Sequence, residues 1–127
     1  MSWLVTGANG QLGMAFRRAL TAGGVCLAGR SSCDLGDAAS LAACLEREQP
    51  SVIINCAAYT AVDAAEDDEP VAMRVNAEAV GEIASWAARH GALMVHFSTD
   101  YVFNGGTSGA YSEDVPVDPQ SAYGRSK

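Results

Sequence analysis

A short apolar run, Trp3-Leu4-Val5-Thr6, breaks directly into Gly7-Ala8-Asn9-Gly10-Gln11-Leu12-Gly13, and this passage limits the fold more than any other stretch of the chain. A brief, uninterrupted apolar run suits a strand covered on both faces. Beyond the turn, Leu12, Ala15, Phe16, Ala19 and Leu20 recur at helical spacing, so a helix is expected from Gln11 to Ala22, stopped by Gly23-Gly24. The G-x-x-G-x-x-G spacing gives each glycine a task. Gly7 can make the tight turn, Gly10 can let a pyrophosphate approach the backbone, and Gly13 can let the helix close on the strand. The free N–H groups of the helix start would then hold the phosphates. Glycine spacing alone is a weak signal; between a strand and a helix it reads as a dinucleotide seat.

The rest of the chain repeats the same alternation. Val25-Cys26-Leu27-Ala28 reads as a second strand closed by Gly29. Asp37 suits an N-cap for a helix over 38–48, with Leu41 and Leu45 on one face and Pro50 ending it. Val52-Ile53-Ile54-Asn55, rich in β-branched residues, reads as a third strand. A loop is expected from Cys56 to about Glu69. Its acids Asp63, Glu66, Asp67, Asp68 and Glu69, just ahead of Pro70, read as a solvated helix start. A long helix over 71–90 follows, stopped by Gly91, then a strand over 93–98, a long polar loop and a new helix near Ser121. Strand–helix–strand units in this order imply right-handed crossovers. The expected fold class is α/β, a Rossmann-like doubly wound parallel sheet. Ligands of such sheets sit at the carboxyl ends of the strands. The polar segments after Thr6, Ala28, Asn55 and Phe97 all fall there.

Composition removes several classes of function. The net charge is −7, from 15 acids against 8 scattered bases, which argues against nucleic acid as a partner. No apolar run approaches the ~18 residues of a membrane span, and Met1-Ser2-Trp3-Leu4-Val5 lacks the basic region of a secretion signal. Cys26, Cys33, Cys44 and Cys56 show no Cys-x-x-Cys spacing. They read as reduced, buried thiols of a cytoplasmic protein, with no metal ligands among them.

Two further places carry chemistry. The second strand end usually places an acid for the ribose 2′-OH of NAD. Here Gly29-Arg30-Ser31-Ser32 stands instead, and an arginine can pair with a 2′-phosphate, which favours NADPH while leaving NADH open. Asp34 comes slightly late for the ribose and is expected near the adenine. In Tyr123-Gly124-Arg125-Ser126-Lys127, Tyr and Lys stand at i and i+4, on one helix face. A phenol with a pKa of ~10 is a poor proton donor or acceptor at neutral pH, and a neighbouring ammonium stabilises its phenolate. Ser98-Thr99 supplies hydroxyls that could orient a carbonyl oxygen.

These segments together resemble the extended short-chain dehydrogenase/reductase family. The resemblance is carried by TGANGQLG (6–13), INCAAYTAVDAAE (54–66), RVNAEAV (74–80), FSTDYVFNG (97–105) and YGRSK (123–127), and covers the whole chain. It implies that Gly10, Gln11 and Leu12 contact the pyrophosphate and that Asp34 and Leu35 flank the adenine. It implies that Ala57, Ala58, Tyr59 and Thr60 line the nicotinamide-ribose side, with Asn76 supporting that loop. Thr99 would hold a substrate carbonyl with Asp100 beside it, Tyr123 would donate a proton, and Lys127 would bind the ribose and tune Tyr123. The implied reaction is hydride transfer from NADPH to C4 of a dTDP-linked 4-keto-6-deoxy sugar. Alternatives are a non-catalytic NADP-binding regulatory subunit, as in the relative that regulates methionine adenosyltransferase, or another nucleotide-sugar epimerase or dehydratase. The resemblance also implies a longer protein, of which residues 1–127 would form the N-terminal, NAD(P)-binding Rossmann domain, followed by a C-terminal substrate-binding part. A homodimer and a Mg2+ requirement are open for that longer form, though no metal ligands are visible here. Residues 1–127 alone are expected to be inactive.

Overall fold

The computed structural model describes residues 1–21 and 23–127. Strand β1 (Trp3–Thr6) leads through the glycine turn into helix α1 (Gln11–Ala19), and β2 (Val25–Ala28) leads into α2 (Ala38–Glu48). Next come β3 (Val52–Asn55), α3 (Val62–Asp67), α4 (Glu69–Met73), a π turn (Arg74–Glu78) and α5 (Ala79–His90). Strand β4 (Leu93–His96), a 3-10 turn (Asp100–Val102) and α6 (Ala122–Ser126) complete the order. The sheet is parallel, in the order β2-β1-β3-β4. This is the expected α/β, doubly wound arrangement.

Alternate residues of the strands feed two cores. Leu4 and Ile53 pack with Leu41, Cys44 and Leu45 of α2 and with Ile83, Trp86 and Ala87 of α5. Val5, Val52 and Ile54 pack toward Phe16 and Leu20 at the α1 side. Trp86 is held further by donating its Nε1–H to Glu46 Oε1 at 2.7 Å, which joins α5 to α2. On the outer strand β4, Leu93 is 62% exposed. The four cysteines are free, and burial pushes the Cys33 thiol up to about 12, as its neighbour Cys44 also does. Among the described residues, no helix is long and apolar enough to cross a membrane.

Several expected boundaries shift, each for a local reason. Helix α1 closes at Leu20, whose N–H reaches Phe16 O at 2.8 Å. Ala22, the expected last residue, lies outside the described residues. Gly24, with φ +85, accepts from Trp3 N through its carbonyl, so it shapes the entry to β2 rather than a helix stop. Asp37 caps α2 as expected, accepting from Ala39 N at 2.9 Å. The segment expected as a loop over 56–69 contains α3, because Ala65 is small enough to be buried completely. The long helical run starts at Glu69, before the expected Val71, with proline in its first turn. It is interrupted by the π turn, in which Asn76 is buried. Strand β4 ends at His96, two residues before the expected end, level with the end of its partner β3.

Candidate functional site

The sheet changes direction between β1 and β3: the chain leaves β1 for β2 on one side and returns to β3 on the other. A crevice of about 520 Å³ opens there at the carboxyl ends of the strands, within the common range for small-molecule sites. Gly7 lies at φ +62, and a Cβ there would stand 2.6 Å from Ala57 N, so glycine alone lets the two loops meet. A Cβ on Gly13 would collide with Gly7 O, so that residue seats α1 against the turn. No side chain caps α1, and no acid occupies its first turn. The Gly10 N–H, expected to meet the pyrophosphate, is instead taken by Gly7 O at 2.9 Å as the turn closes, whereas the leading N–H groups of α1 at Gln11 and Leu12 remain available for an anion. The cradle therefore fits the pyrophosphate of a dinucleotide.

At the β2 end, Arg30, Asp34 and Leu35 line the crevice. The Arg30 side chain is 86% exposed, and its Nε donates to Asp34 Oδ2 at 3.2 Å. The Gly36 N–H donates to Asp34 Oδ1 at 2.8 Å. This backbone donor first, and then Arg30, hold the Asp34 carboxyl below the usual carboxylate range. Arg30 is thus an exposed cation paired with Asp34 at the rim of the crevice.

At the β3 end, Ala57, Ala58 and Tyr59 line the crevice, whereas Thr60 is exposed and contributes no lining. The Tyr59 peptide is clamped by one buried side chain. Asn76 Oδ1 accepts from Tyr59 N at 2.8 Å, and its Nδ2 donates to Tyr59 O at 2.9 Å. The same Nδ2 donates to Ser126 Oγ at 2.9 Å. Asn76 therefore ties the crevice loop to α6, which carries Tyr123 and ends at its cap residue Lys127.

Helix α6 is short and strongly held. Ser121 Oγ caps it by accepting from Gly124 N at 3.0 Å. A Cβ on Gly124 would collide with Tyr101 O, so glycine lets α6 settle on the 3-10 turn after Thr99. The rings of Tyr101 and Tyr123 meet edge to face, with centroids 5.7 Å apart. Lys127 Nζ donates to Phe97 O at 2.7 Å, and burial lowers its pKa from the ordinary lysine value. Thr99 Oγ1 accepts from Tyr101 N and donates to Asp100 Oδ1, each at 3.3 Å. The segments bearing Thr99, Asp100, Tyr123 and Lys127 are thus brought to one end of the sheet, beside the Tyr59 side of the crevice.

Some contributors escaped the sequence reading. Asn9, Gly29, Cys33, Gly36, Cys56, Val71 and Val75 also line the crevice. Val71 and Val75 stand four residues apart on the run after Pro70, a spacing that marks a common face. The expected solvated acids include two that bind α6. Glu66 Oε1 accepts from Ala122 N at 2.8 Å, and Glu69 receives Arg125 through two bonds of 2.8 and 3.0 Å. Among the described residues, no group of three or more His, Cys, Asp or Glu side chains is placed to hold a metal ion.

Residues 1–127 match the family described as the RmlD substrate binding domain. The chain is 51% identical over 128 residues to dTDP-4-dehydrorhamnose reductase of Burkholderia thailandensis, covering 100% of this chain and 43% of that protein. It is 40% identical over 127 residues to the protein of the same name from Streptomyces griseus, covering 98% of this chain and 42% of that protein. Among solved structures, dTDP-4-dehydrorhamnose reductase from Bacillus anthracis in complex with NADP superposes with a TM-score of 0.91 at 33% identity, covering 99% of this chain and 46% of that one. The chain therefore spans less than half the length of these relatives. With the match running through the glycine cradle, the Asn76 clamp and α6 alike, this chain belongs to the RmlD substrate binding domain family.

Proposed function

We propose that the protein containing these residues reduces the C4 ketone of dTDP-4-dehydro-L-rhamnose with NADPH, giving dTDP-L-rhamnose. One observation carries the reading. A glycine-built dinucleotide crevice and a helix bearing Tyr123 and Lys127 are joined by a single buried side chain, Asn76. The names of the relatives and the NADP bound to one of them support the substrate and the cofactor.

NADPH, when bound, supplies the hydride. In this reading, backbone N–H groups at Gln11 and Leu12 hold its pyrophosphate, and Gly10, without a side chain, lets it approach. Asp34 and Leu35 flank the adenine, and Arg30 leaves Asp34 to meet the 2′-phosphate. Ala57, Ala58, Tyr59 and Thr60 line the nicotinamide-ribose side. Thr99 orients the substrate carbonyl by turning its single hydroxyl proton from Asp100 Oδ1 to the carbonyl oxygen, while Tyr101 N keeps the Thr99 oxygen in place. Tyr123 gives its phenolic proton to the oxygen developing on C4, and Lys127 holds the ribose and the charge beside that phenol. Phe97 O anchors the ammonium meanwhile.

The test is NADPH oxidation by the full-length protein, with and without dTDP-4-dehydro-L-rhamnose. Sugar-dependent oxidation with formation of dTDP-L-rhamnose is expected. Tight NADPH binding without sugar-dependent oxidation would overturn the reading.

A further inference from the structure

We infer that Glu66 is a positioning residue of the proposed reduction: its carboxylate fixes the first turn of α6 and thereby sets where Tyr123 and Lys127 stand. The inference rests on the reading of those two residues as the proton-donating pair.

A helix of five residues has almost no stability of its own, because nucleation is costly. Its position must come from what it touches. Four contacts do this. Glu66 Oε1 accepts from Ala122 N at 2.8 Å, Glu69 accepts from Arg125, Asn76 Nδ2 donates to Ser126 Oγ at 2.9 Å, and Gly124 abuts Tyr101 O. Three of the four partners belong to the stretch from Glu66 to Asn76. There Ala65 and Ala72 meet Ala122 in a fully buried cluster against which Tyr59 and Tyr123 pack. Three alanines bring the backbones close but fix no rotation, since a methyl contact is non-directional.

Direction must come from the polar contacts, and they are unequal. The Arg125–Glu69 pair is exposed on both sides, 45% and 39%, and such pairs contribute little. Asn76 holds the far end of α6, at Ser126. At the near end, Ala122 N is a donor that no carbonyl of the helix can satisfy. Ser121 already serves Gly124 N, and Glu66 takes Ala122 N with a charge-assisted bond. Glu66 and Asn76 thus pin the two ends of the helix on which Tyr123 sits. Glu66 lines no part of the crevice, so its influence on the rate passes through α6.

The experiment uses the full-length protein with NADPH and dTDP-4-dehydro-L-rhamnose. Glu66→Ala is expected to lower kcat about 10- to 100-fold, the usual cost of displacing a reacting group by about an ångström. The Kd for NADPH, set mainly by the glycine cradle, is expected to stay within about twofold. Glu66→Gln, whose amide oxygen still accepts from Ala122 N, is expected to restore most of kcat. If Glu66→Ala does not fold, Glu66→Asp, which withdraws the carboxylate by one methylene, carries the same expectation. An unchanged kcat in Glu66→Ala or Glu66→Asp overturns the inference. So does a loss that Glu66→Gln fails to restore, or one shared equally by kcat and NADPH binding. Tyr123→Phe separates the two claims: full activity there overturns the reading of the pair itself, whereas its loss beside an unaffected Glu66→Ala overturns only the role of Glu66.

Discussion

Asn55 decides the protonation of a neighbour by what its own amide already does. Its Oδ1 accepts from Thr6 Oγ1 at 2.5 Å and from Ala57 N at 3.2 Å, so its Nδ2 faces His96 Nδ1 at 3.2 Å. That ring nitrogen must accept, and the ring proton sits on Nε2. Burial, and then the Lys127 ammonium, lower the His96 pKa from 6.5. The folded state therefore binds fewer protons than the unfolded chain in this range. Stability is complete above about 6.5, the ordinary histidine value, and falls as pH drops through the folded value. Carboxylates such as Asp34 and Glu82, held low by Gly36 N–H and Arg74, titrate further down. Chemical denaturation at pH 7 and pH 5 is expected to show a loss that His96→Gln reduces, since Gln still offers Asn55 an acceptor. An identical loss in both proteins contradicts the account. Neither the tautomer nor the pairing was legible in the sequence, because they depend on three strands ending level. The cation at Arg30 was legible, as a rare residue at a known strand end. Arg30→Asp is expected to weaken NADPH more than NADH in parallel titrations, and equal weakening would make Arg30 a surface charge.

At the scale of elements, strong periodicity read well and short segments did not. The strands, α2 and the existence of α1 followed from apolar spacing and the Asp37 cap, because those signals are local. Helix α3 was hidden because its hold on the fold comes from Ala65 and Glu66 meeting α6, more than fifty residues away in sequence. The π turn was hidden for the same reason: the bulge accompanies Asn76 reaching both Tyr59 and Ser126. Gly124 is the sharpest case, an ordinary-looking glycine in YGRSK that turns out to face the Tyr101 carbonyl. Gly124→Ala forces α6 away from that turn. A stability loss of about 1–3 kcal/mol is expected by denaturant titration, with kcat falling more than NADPH affinity. Retained kcat would mean that the distance between α6 and Tyr101 is immaterial to the reaction.

At the scale of the molecule, the sheet order explains why the proposed site residues scatter through the sequence yet gather in space. The strands end level at Ala28, Thr6, Asn55 and His96, so the four polar segments that follow them share one edge. The reversal between β1 and β3 opens the crevice on that edge, and α6 returns to it after the long loop. This gathering was legible from strand–helix alternation. The lock that holds α6 there was legible only in part: Asn76 was expected to support the Tyr59 loop but not to reach Ser126, and Glu66 and Gly124 look unremarkable until the chain folds. The most direct measurement is the turnover of Tyr123→Phe in the full-length protein, beside its Kd for NADPH. The account predicts that kcat falls about 10²- to 10⁴-fold, the share usual for a positioned proton donor, while NADPH binding is retained. Turnover equal to that of the unaltered protein would contradict it.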